Sequence, residues 1–424
     1  MIFLPLNRCV CHHILKSLQG SFIGQRSCQA SVEMISSTCD ENDQLSVWNH
    51  KQVPKTKSDH IRAQRQDVVQ PDEPKLNRVA IIGVPNSGKS TLLNQLVGVR
   101  VSSVSSKVHT TRRNVIGVLS QGSTQVEFLD TPGLIQLNDC LKHSLEHTLY
   151  HHPHLSAKVA DMVVVLVDVS LKIYRRFLTK EIYNVLLKHR DKKSVLVLNK
   201  VDILTKKQKL MYCVDRLTGG YIDGESVDGK ERRTIVGPKR RSSHDMGEII
   251  QRAEQKLQNA PDDSKKDDLL DPKIDPRNLH WPYFSRVFMI SALTGDGVDD
   301  LRDYLISEAK PQPWKYHESI ITRESPENII CSIIREKFLD NCIWDIPYTL
   351  NFKIGDWIVD DLGNLHVSVD VIVPKQSQMR YVLGGNGTTV SKVVDQARQE
   401  LSDLFCCDVR LKINVKCSQR IEKK

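Results

Sequence analysis

The segment LNRVAIIGVPNSGKS, residues 76–90, carries the strongest structural signal in the sequence. Its apolar start, Leu76–Ile82, predicts a buried strand, and Thr91–Val97 behind it predicts a helix. A strand, the pattern G-x-x-x-x-G-K-S and a helix, in this order, form the setting that a phosphate-binding P-loop requires. We therefore predict a nucleotide site whose cradle consists of Gly83, Val84, Pro85, Asn86, Ser87, Gly88, Lys89, Ser90 and Thr91.

The residue types of this loop suit phosphate chemistry. Gly83 and Gly88 let backbone N–H groups wrap around phosphate oxygens at a helix N-terminus, which favours anions. Lys89 is expected to reach the β- and γ-phosphates, and the hydroxyl of Ser90 to bind Mg²⁺. Lys89 is accordingly a predicted catalytic residue.

A second motif follows at the end of another predicted strand, Gln125–Leu129. An acid at this point can hold Mg²⁺ through water, and the glycine three residues later allows a backbone N–H to approach the γ-phosphate. We predict that Asp130 is a metal-binding residue. The nucleotide-binding residues of this motif are Asp130, Thr131, Pro132 and Gly133.

Two further motifs predict which base is bound. The strand Ser194–Leu198 runs into Asn199, Lys200 and Asp202, and the carboxylate can accept two hydrogen bonds from guanine that adenine does not offer. The strand Arg286–Ile290 runs into the base-binding residues Ser291, Ala292 and Leu293. Ligands of α/β sheets bind at the carboxyl ends of strands, so the ordered set predicts a GTP site and disfavours an ATPase.

The C-terminal hundred residues show a different pattern. It predicts a helix (Pro326–Asp340), strands at Tyr348–Gly355 and Leu365–Val373, a turn, a helix (Thr388–Phe405) and a strand (Val409–Lys416). The turn contains a G-x-x-G motif, which with this element order indicates a KH domain. The alternative is a tight turn that starts a helix. The predicted RNA-binding residues are Gly384, Gly385, Asn386, Gly387 and Lys392.

Composition limits the class of protein. The 424 residues carry a net charge of +9, which suggests a polyanionic partner, although a merely basic soluble protein would also have it. Residues 81–218 hold 20 basic and 10 acidic side chains, while residues 326–424 hold 13 of each. We expect the segment 172–193 of the nucleotide-binding domain to supply phosphate attraction. No apolar run approaches the ~18 residues of a membrane-spanning helix.

The N-terminus has the composition of a targeting signal. Residues 1–32 contain three basic and no acidic side chains and are rich in serine, which is typical of a mitochondrial transit peptide; a plain disordered tail is the alternative. The predicted domains are 1–75, transit peptide and disordered linker; 76–310, a G domain with a disordered insertion at 219–280; 311–325, a linker; and 326–424, the KH domain.

The set GVPNSGKST, HTTR, DTPG, NKVD and SAL resembles the Era group of the translation-factor class of GTPases, most closely its mitochondrial members. The resemblance implies an α/β P-loop GTPase domain, with a mixed, mostly parallel sheet and helices on both faces, followed by an α+β type II KH domain. It also implies that Thr111, in the first switch loop, is catalytic and binds Mg²⁺.

The resemblance further implies slow hydrolysis. Leu134 stands where Ras-like enzymes carry the glutamine that orients water. In related proteins a P-loop asparagine binds K⁺, and Asn86 matches it, so Asn86 is a candidate catalytic residue and K⁺ a candidate cofactor beside GTP/GDP and Mg²⁺. A turn residue is the alternative interpretation of Asn86.

The function implied by the likeness is a GTP-binding and hydrolysing RNA chaperone. It would bind mitochondrial small-subunit ribosomal RNA and assist assembly of the small ribosomal subunit in the matrix. The likeness also allows a peripheral contact with the matrix side of the inner membrane, with no transmembrane segment. The alternative is a nucleotide-gated RNA-binding scaffold with negligible hydrolysis. A tRNA-modifying GTPase is disfavoured, because such a relative would need an additional catalytic module.

Overall fold

The central part of the chain builds a seven-stranded sheet, and the C-terminal part builds a three-stranded sheet. Both belong to one compact unit that spans residues 50–424. The computed structural model describes residues 53–103, 115–131, 133–134, 148–223, 225–226, 279–342 and 346–418.

The elements of the first part are, in chain order, α1 (Lys57–Arg65), β1 (Lys75–Gly83), α2 (Lys89–Val97), β2 (Val115–Gln121), β3 (Thr124–Asp130), α3 (Thr148–Val159), β4 (Met162–Asp168), α4 (Lys180–Lys188), β5 (Lys193–Asn199), α5 (Gln208–Thr218), β6 (Tyr221–Ile222), β7 (Glu225–Ser226), β8 (Phe284–Met289), α6 (Val298–Ser307) and β9 (Lys310–Pro311). The C-terminal part consists of α7 (Pro326–Asn341), β10 (Asn351–Val359), β11 (Leu365–Val373), α8 (Gln376–Leu383), α9 (Thr388–Phe405) and β12 (Val409–Cys417).

The seven-stranded sheet is mostly parallel. Its order is β2-β3-β1-β4-β5-β8, and the short β9 pairs with the start of β1. Only β2 and β9 run antiparallel to their neighbours. The inner strands are buried on both faces, as their continuous apolar sequences predict. Helices α2 and α6 cover one face, and α3, α4 and α5 cover the other. The predicted fold class of this domain is confirmed.

The C-terminal sheet is mixed, because β10 and β11 are antiparallel whereas β11 and β12 are parallel. Alternate residues of β11, from Leu365 to Val373, pack into one hydrophobic core with the apolar residues of α7 and α9. The order helix, strand, strand, helix, helix, strand fits the KH domain that the sequence predicted. One helix was not predicted: α8 lies between β11 and the G-x-x-G turn.

Residues 53–74, the N-terminal arm, correct the prediction of a disordered linker up to residue 75. Val53 is 1% exposed and belongs to the C-terminal core. The carbonyl of Lys55 accepts a hydrogen bond of 3.1 Å from the indole Nε1 of Trp357. Gln70 exchanges two hydrogen bonds with the backbone of Trp314, at 2.8 and 3.1 Å. The start of the arm therefore packs against the C-terminal domain, and its end is bound to the predicted linker 311–325.

The predicted linker 311–325 is bound to the edge of the large sheet. The backbone N–H of Val118 donates to the carbonyl of Ile321 at 2.7 Å, so the linker pairs with the free edge of strand β2. The Tyr316 hydroxyl donates to Glu127 at 2.8 Å, and burial together with this carboxylate raises the pKa of Tyr316 to about 12. Lys315 forms an ion pair with the same carboxylate at 2.7 Å. These contacts restrict how the domains can move.

Within the described ranges, no helix is both long and apolar enough to cross a membrane. Most of the insertion predicted at 219–280 lies outside those ranges. Its described start forms the short hairpin β6–β7, and its end is buried, with Leu279 in the core of the large domain.

Candidate guanine-nucleotide site

All four sequence motifs lie at one edge of the large sheet. Strands β1, β3, β4, β5 and β8 are parallel, so their carboxyl ends meet there. Two end residues, Asp168 and Asn199, are directly paired in the register of β4 and β5. The topology therefore brings together segments that are separated by more than a hundred residues in the chain.

The P-loop has no room for a side chain at its last turn. Gly88 has a φ of 97°, and a Cβ there would lie 2.3 Å from Nδ2 of Asn199. Gly83 is similarly enclosed, since a Cβ would meet the carbonyl oxygen of Leu166 at 2.5 Å. The N-terminus of α2 has no side-chain cap at Gly88. Its N–H groups are those a phosphate would bind.

Lys89 is buried at the start of α2. Its Nζ donates to the carbonyls of Gly83, at 3.2 Å, and of Val84, at 3.0 Å. Burial lowers the pKa of Lys89 to about 8, and the nearby Asp130 opposes that shift. Among the described residues, two carbonyls accept hydrogen bonds from this buried ammonium, and an anionic ligand would stabilise its charge further.

Asp130 is held by two hydroxyls. Its Oδ2 accepts hydrogen bonds from Oγ of Ser90 at 2.8 Å and from Oγ of Ser102 at 2.9 Å. Its buried Oδ1 has no hydrogen-bond partner among the described residues. Burial raises the pKa of this carboxyl. A hydroxyl and a carboxylate with an unsatisfied oxygen form a donor set that fits Mg²⁺.

The residues after Asp130 pack against the P-loop. The Thr131 hydroxyl donates to the carbonyl of Ile81 at 2.9 Å. A Cβ on Gly133 would lie 2.7 Å from the backbone of Pro85, so only glycine allows this approach. Leu134 is buried in the hydrophobic core and its N–H donates to the carbonyl of Gly83 at 3.0 Å. Its side chain is part of that core and cannot orient a water molecule.

The base-binding motifs meet through Asn199, which is buried between Ser87 and Ala292. Ser291 is buried, and its Oγ accepts from the N–H of Thr294 at 3.3 Å. In contrast, Asp202 is exposed and lies in a single 3₁₀ turn, Val201–Ile203. An exposed carboxylate beside a rigid pair of loops can accept hydrogen bonds from an incoming base.

Lys200 bridges two loops. Its Nζ donates to the carbonyl of Asn86 and to Oδ2 of Asp168, both at 2.7 Å. Asn86 is exposed and has a φ of 60°, the backbone conformation that its interpretation as a turn residue requires. The same position leaves its side chain at the surface of the phosphate loop, where the resemblance places a K⁺ ligand.

Two site residues were missed by the sequence analysis. Asp168 ends the apolar strand β4, and an acid directly after such a strand was an available signal. Ser102 carried no local signal, because its role depends on the distant Asp130. The predicted residues Thr111 and Pro132 lie outside the described part of the chain.

The G-x-x-G loop connects α8 to α9. Gly384 has a φ of 74°, and a Cβ there would clash with the backbone N of Thr389 at 2.8 Å. Gly385 and Asn386 are exposed, and a Cβ on Gly385 or Gly387 would meet nothing within 4 Å. Lys392 is exposed one turn into α9. The loop thus offers open backbone and one cation at a helix N-terminus.

The basic segment 172–193 is less available than its charge suggested. Arg175 donates to the carbonyls of Val169 and Ser170. Lys192 donates to three backbone carbonyls near the end of α3, and Lys193 forms an ion pair with Glu308. Lys172 and Arg176 are exposed. These internal contacts weaken the expectation that the segment is a major phosphate-attracting surface.

Known proteins share these features. The family model described as "50S ribosome-binding GTPase" matches residues 78–200. The chain is 39% identical over 353 residues to the mitochondrial GTPase Era of Danio rerio, covering 83% of this chain and 77% of that protein. Identity to the Salmo salar protein of the same name is 39% over 359 residues, covering 83% and 78%.

A solved structure has the same fold. It is that of Era in complex with MgGDPNP and nucleotides 1506–1542 of 16S ribosomal RNA, and it matches with a TM-score of 0.58 at 24% identity. The match covers 82% of this chain and 95% of that one, so it includes both domains.

Proposed function

Because this chain belongs to the Era family of GTPases and hydrolyses GTP, we propose that it is an RNA chaperone for assembly of the mitochondrial small ribosomal subunit. The observation that carries the proposal is the presence, in one compact unit, of a buried phosphate-binding loop and an exposed G-x-x-G loop. One site binds and hydrolyses the nucleotide, and the other contacts small-subunit ribosomal RNA.

The nucleotide half of the proposal assigns roles residue by residue. The P-loop backbone and Lys89 bind the phosphates, and Asp202 selects guanine. Ser90, Asp130 and Thr111 would hold Mg²⁺, which neutralises developing charge on the phosphate oxygens when it is bound. Asn86 is the proposed residue for K⁺. Since Leu134 cannot position water, we propose that intrinsic hydrolysis is slow and stimulated by K⁺.

The RNA half rests on backbone exposure. Exposed backbone at Gly385 and Asn386 and the N-terminus of α9 favour a phosphate, and Lys392 adds charge. The names of the relatives support a mitochondrial location. We further propose that the protein lies in the matrix and that the basic, acid-free residues 1–32 belong to a transit peptide. The RNA in the solved Era complex supports a ribosomal RNA partner.

Two measurements test the proposal. GTP turnover should be low in Na⁺, rise in K⁺, and rise further with mitochondrial small subunits. Absence of turnover in every condition would favour the scaffold alternative, which membership of a GTPase family disfavours. Crosslinking followed by RNA sequencing in isolated mitochondria should recover small-subunit ribosomal RNA. Recovery of mainly messenger or transfer RNA would refute the ribosomal role.

A further inference from the structure

Residues 99–102, the interdomain segment, contact both domains in succession. Val99 is half-buried and packs against the cores of the large domain and of the C-terminal domain. Arg100 forms ion pairs with the C-terminal domain. Val101 is buried in the large domain, and Ser102 hydrogen-bonds to Asp130. Four consecutive residues therefore connect the nucleotide site with the RNA-binding domain.

The segment is anchored to the helix that follows the P-loop. Oδ1 of Asn94, on α2, accepts hydrogen bonds from the backbone N–H groups of Val101, at 3.0 Å, and Ser102, at 2.9 Å. Nδ2 of Asn94 donates to the carbonyl of Ser102 at 2.8 Å. Ser102 is 3% exposed. With three backbone hydrogen bonds to Asn94 and its last two residues, Val101 and Ser102, buried, the segment moves only with α2 or by breaking these bonds.

At its second end, the segment helps to position the predicted metal-binding acid. Ser102 and Ser90 both donate to Oδ2 of Asp130. This pair of donors fixes the carboxylate orientation and leaves the other oxygen, Oδ1, without a hydrogen bond from the described residues. Orienting partners of a ligating carboxylate commonly tune its affinity and activity.

At its first end, Arg100 joins a cluster of ionised groups on two helices. Its Nη2 contacts both carboxylate oxygens of Glu336, on α7, at 2.6 and 2.7 Å. It also forms an ion pair with Glu400, on α9, and Lys337 bridges the same two acids at 3.1 and 2.6 Å. Two cations and two anions balance. Glu336 is 2% exposed, so loss of one member leaves a buried charge uncompensated.

The cluster is directly connected to the RNA-binding loop. Glu400 lies on α9, and the N-cap of α9 is Gly387, the last residue of the G-x-x-G motif. A shift of α9 that follows Arg100 would displace this loop. Conversely, a phosphate bound at the loop would restrain α9 and, through Arg100, the position of Ser102.

We propose that Ser102 is a positioning residue for Asp130 and that Arg100 transmits its position to the RNA-binding domain. The proposal rests on the proposed function above. Since coupling free energies are reciprocal, the nucleotide state changes RNA affinity and RNA changes nucleotide affinity by the same factor. Loss of a merely static interdomain contact would change RNA affinity equally in both nucleotide states. Loss of coupling would change the ratio of the two affinities, and the experiment measures that ratio.

The experiment uses the full chain and a synthetic RNA with the 3′-terminal sequence of mitochondrial small-subunit ribosomal RNA. RNA affinity is measured once with a non-hydrolysable GTP analogue and once with GDP. The coupling ratio is the higher of these two affinities divided by the lower. We expect a wild-type ratio of at least about 5, the lower end of common allosteric coupling. Arg100→Met should reduce the coupling ratio to below about 2, which is less than common allosteric coupling.

A matched control removes a similar ion pair inside one domain. Arg78 pairs with Asp161 at 2.7 Å and is 26% exposed, compared with 32% for Arg100. Arg78→Met should keep the wild-type ratio. An equal loss in both variants would overturn the proposal, as would a wild-type ratio in Arg100→Met. Thermal melting verifies that each variant is folded.

Ser102 provides an independent readout. Ser102→Ala should lower kcat for RNA-free hydrolysis by about tenfold, because one hydrogen bond to a charged group is lost, with a smaller change in KM. Ser102→Thr, which keeps the hydroxyl, should recover most of kcat. If Ser102 and Arg100 act through one connection, the coupling ratio of the double variant Ser102→Ala/Arg100→Met should be no lower than the lower of the two single-variant ratios. Additive losses, or no effect on kcat, would refute the link.

Failure of this inference and failure of the proposed function give different results. If the wild-type chain binds the RNA with a ratio of one, the coupling is refuted and the RNA-chaperone role stands. If the chain binds the RNA in neither nucleotide state, the proposed function is refuted and this inference with it.

Discussion

The side-chain amide of Asn199 donates a hydrogen bond of 2.8 Å to the backbone carbonyl of Ser87. Its Oδ1 accepts another, of 2.9 Å, from the N–H of Ala292. One buried side chain therefore holds the phosphate loop and the last base-binding motif at a fixed separation. The phosphate and base subsites consequently depend on the same residue.

Replacement of Asn199 by Ala should weaken both subsites. The carbonyl of Ser87 and the N–H of Ala292 would be left unpaired, at a cost of about 1–3 kcal/mol for each buried group. We expect a lower free energy of unfolding and similar losses of GDP and GTP affinity, measured by denaturant titration and fluorescent-nucleotide binding. Asn414→Ala, on the C-terminal sheet, should leave nucleotide affinity unchanged. Unchanged GDP affinity in Asn199→Ala would contradict the bridging role.

A comparison of alanine substitutions at Gly88 and Gly98 separates the effect of backbone strain from that of a steric clash. Both have positive φ, 97° and 77°, but a Cβ clashes only at Gly88. Alanine at either position should cost about 1–2 kcal/mol of stability, the penalty of left-handed backbone. Only Gly88→Ala should also lose nucleotide binding, as measured by calorimetry. Equal nucleotide affinities in the two variants would contradict this prediction, because they would show that the phosphate loop accommodates the Cβ of Gly88→Ala beside Asn199.

Asp202 should determine base choice without affecting stability, because it is exposed. In Asp202→Asn, GTP affinity should fall by at least about 100-fold, since two hydrogen bonds to a charged acceptor are worth about 1.5–3 kcal/mol each. ATP affinity and the melting temperature should not change. The exposed Asp303→Asn on α6 is the control. Retention of the GTP preference by Asp202→Asn would mean that another group selects guanine.

His189 should make stability fall in mild acid. Burial, together with the charge of Lys192, lowers the pKa of His189 to about 4. Between the ordinary histidine pKa of about 6.5 and pH 4, the unfolded chain binds a proton that the folded chain does not. The free energy of unfolding should therefore decrease as pH falls through this window and level off below it.

The variant His189→Gln isolates that contribution. Its free energy of unfolding should depend less on pH between 6.5 and 4 than that of the wild type, measured by urea titration at half-unit steps. His317→Gln, in the linker, should retain the wild-type dependence. Parallel curves for wild type and His189→Gln would show that this histidine is protonated in the folded protein too.

The N-terminal arm supplies a final test. Val53 is 1% exposed in the C-terminal core, whereas Val69 in the same arm is 72% exposed. Val53→Ala should lower the free energy of unfolding by about 2 kcal/mol, from lost apolar burial and the resulting cavity. Val69→Ala should change it by less than about 0.5 kcal/mol, as expected for a surface site. Equal effects would mean that the arm is not packed in solution.

The elements with strong local signals were predicted well. Apolar-rich runs followed by Gly, Asp, Asn or Ser identified β1, β3, β5 and β8. Of these, β1 and β5 lie inside the sheet, where strands buried on both faces need no polar alternation. The bounds of β11 and α9 agree with those predicted. Helix α8, between β11 and the G-x-x-G turn, was not predicted, because it is short and only one of its residues, Val382, is buried. A short exposed helix has little periodicity to detect.

The arm at residues 53–74 shows why polar composition misleads. Its few apolar residues cannot build a core, so the sequence indicates a linker. The C-terminal domain instead provides a finished core into which Val53 inserts and a Trp357 indole that needs an acceptor. Whether such a segment is ordered depends on the surface that it meets.

The order of the motifs, the chemistry of the P-loop and the strands that carry it follow from the sequence, because each depends on residues close together in the chain. The contact of Ser102 with Asp130, the bridge that Asn199 forms between two loops and the contact of Arg100 with Glu336 across the domains follow from the folded chain alone. These contacts join residues 28 to 236 positions apart. Side chains at such separations become neighbours through sheet topology and domain packing, which no local pattern of residues encodes.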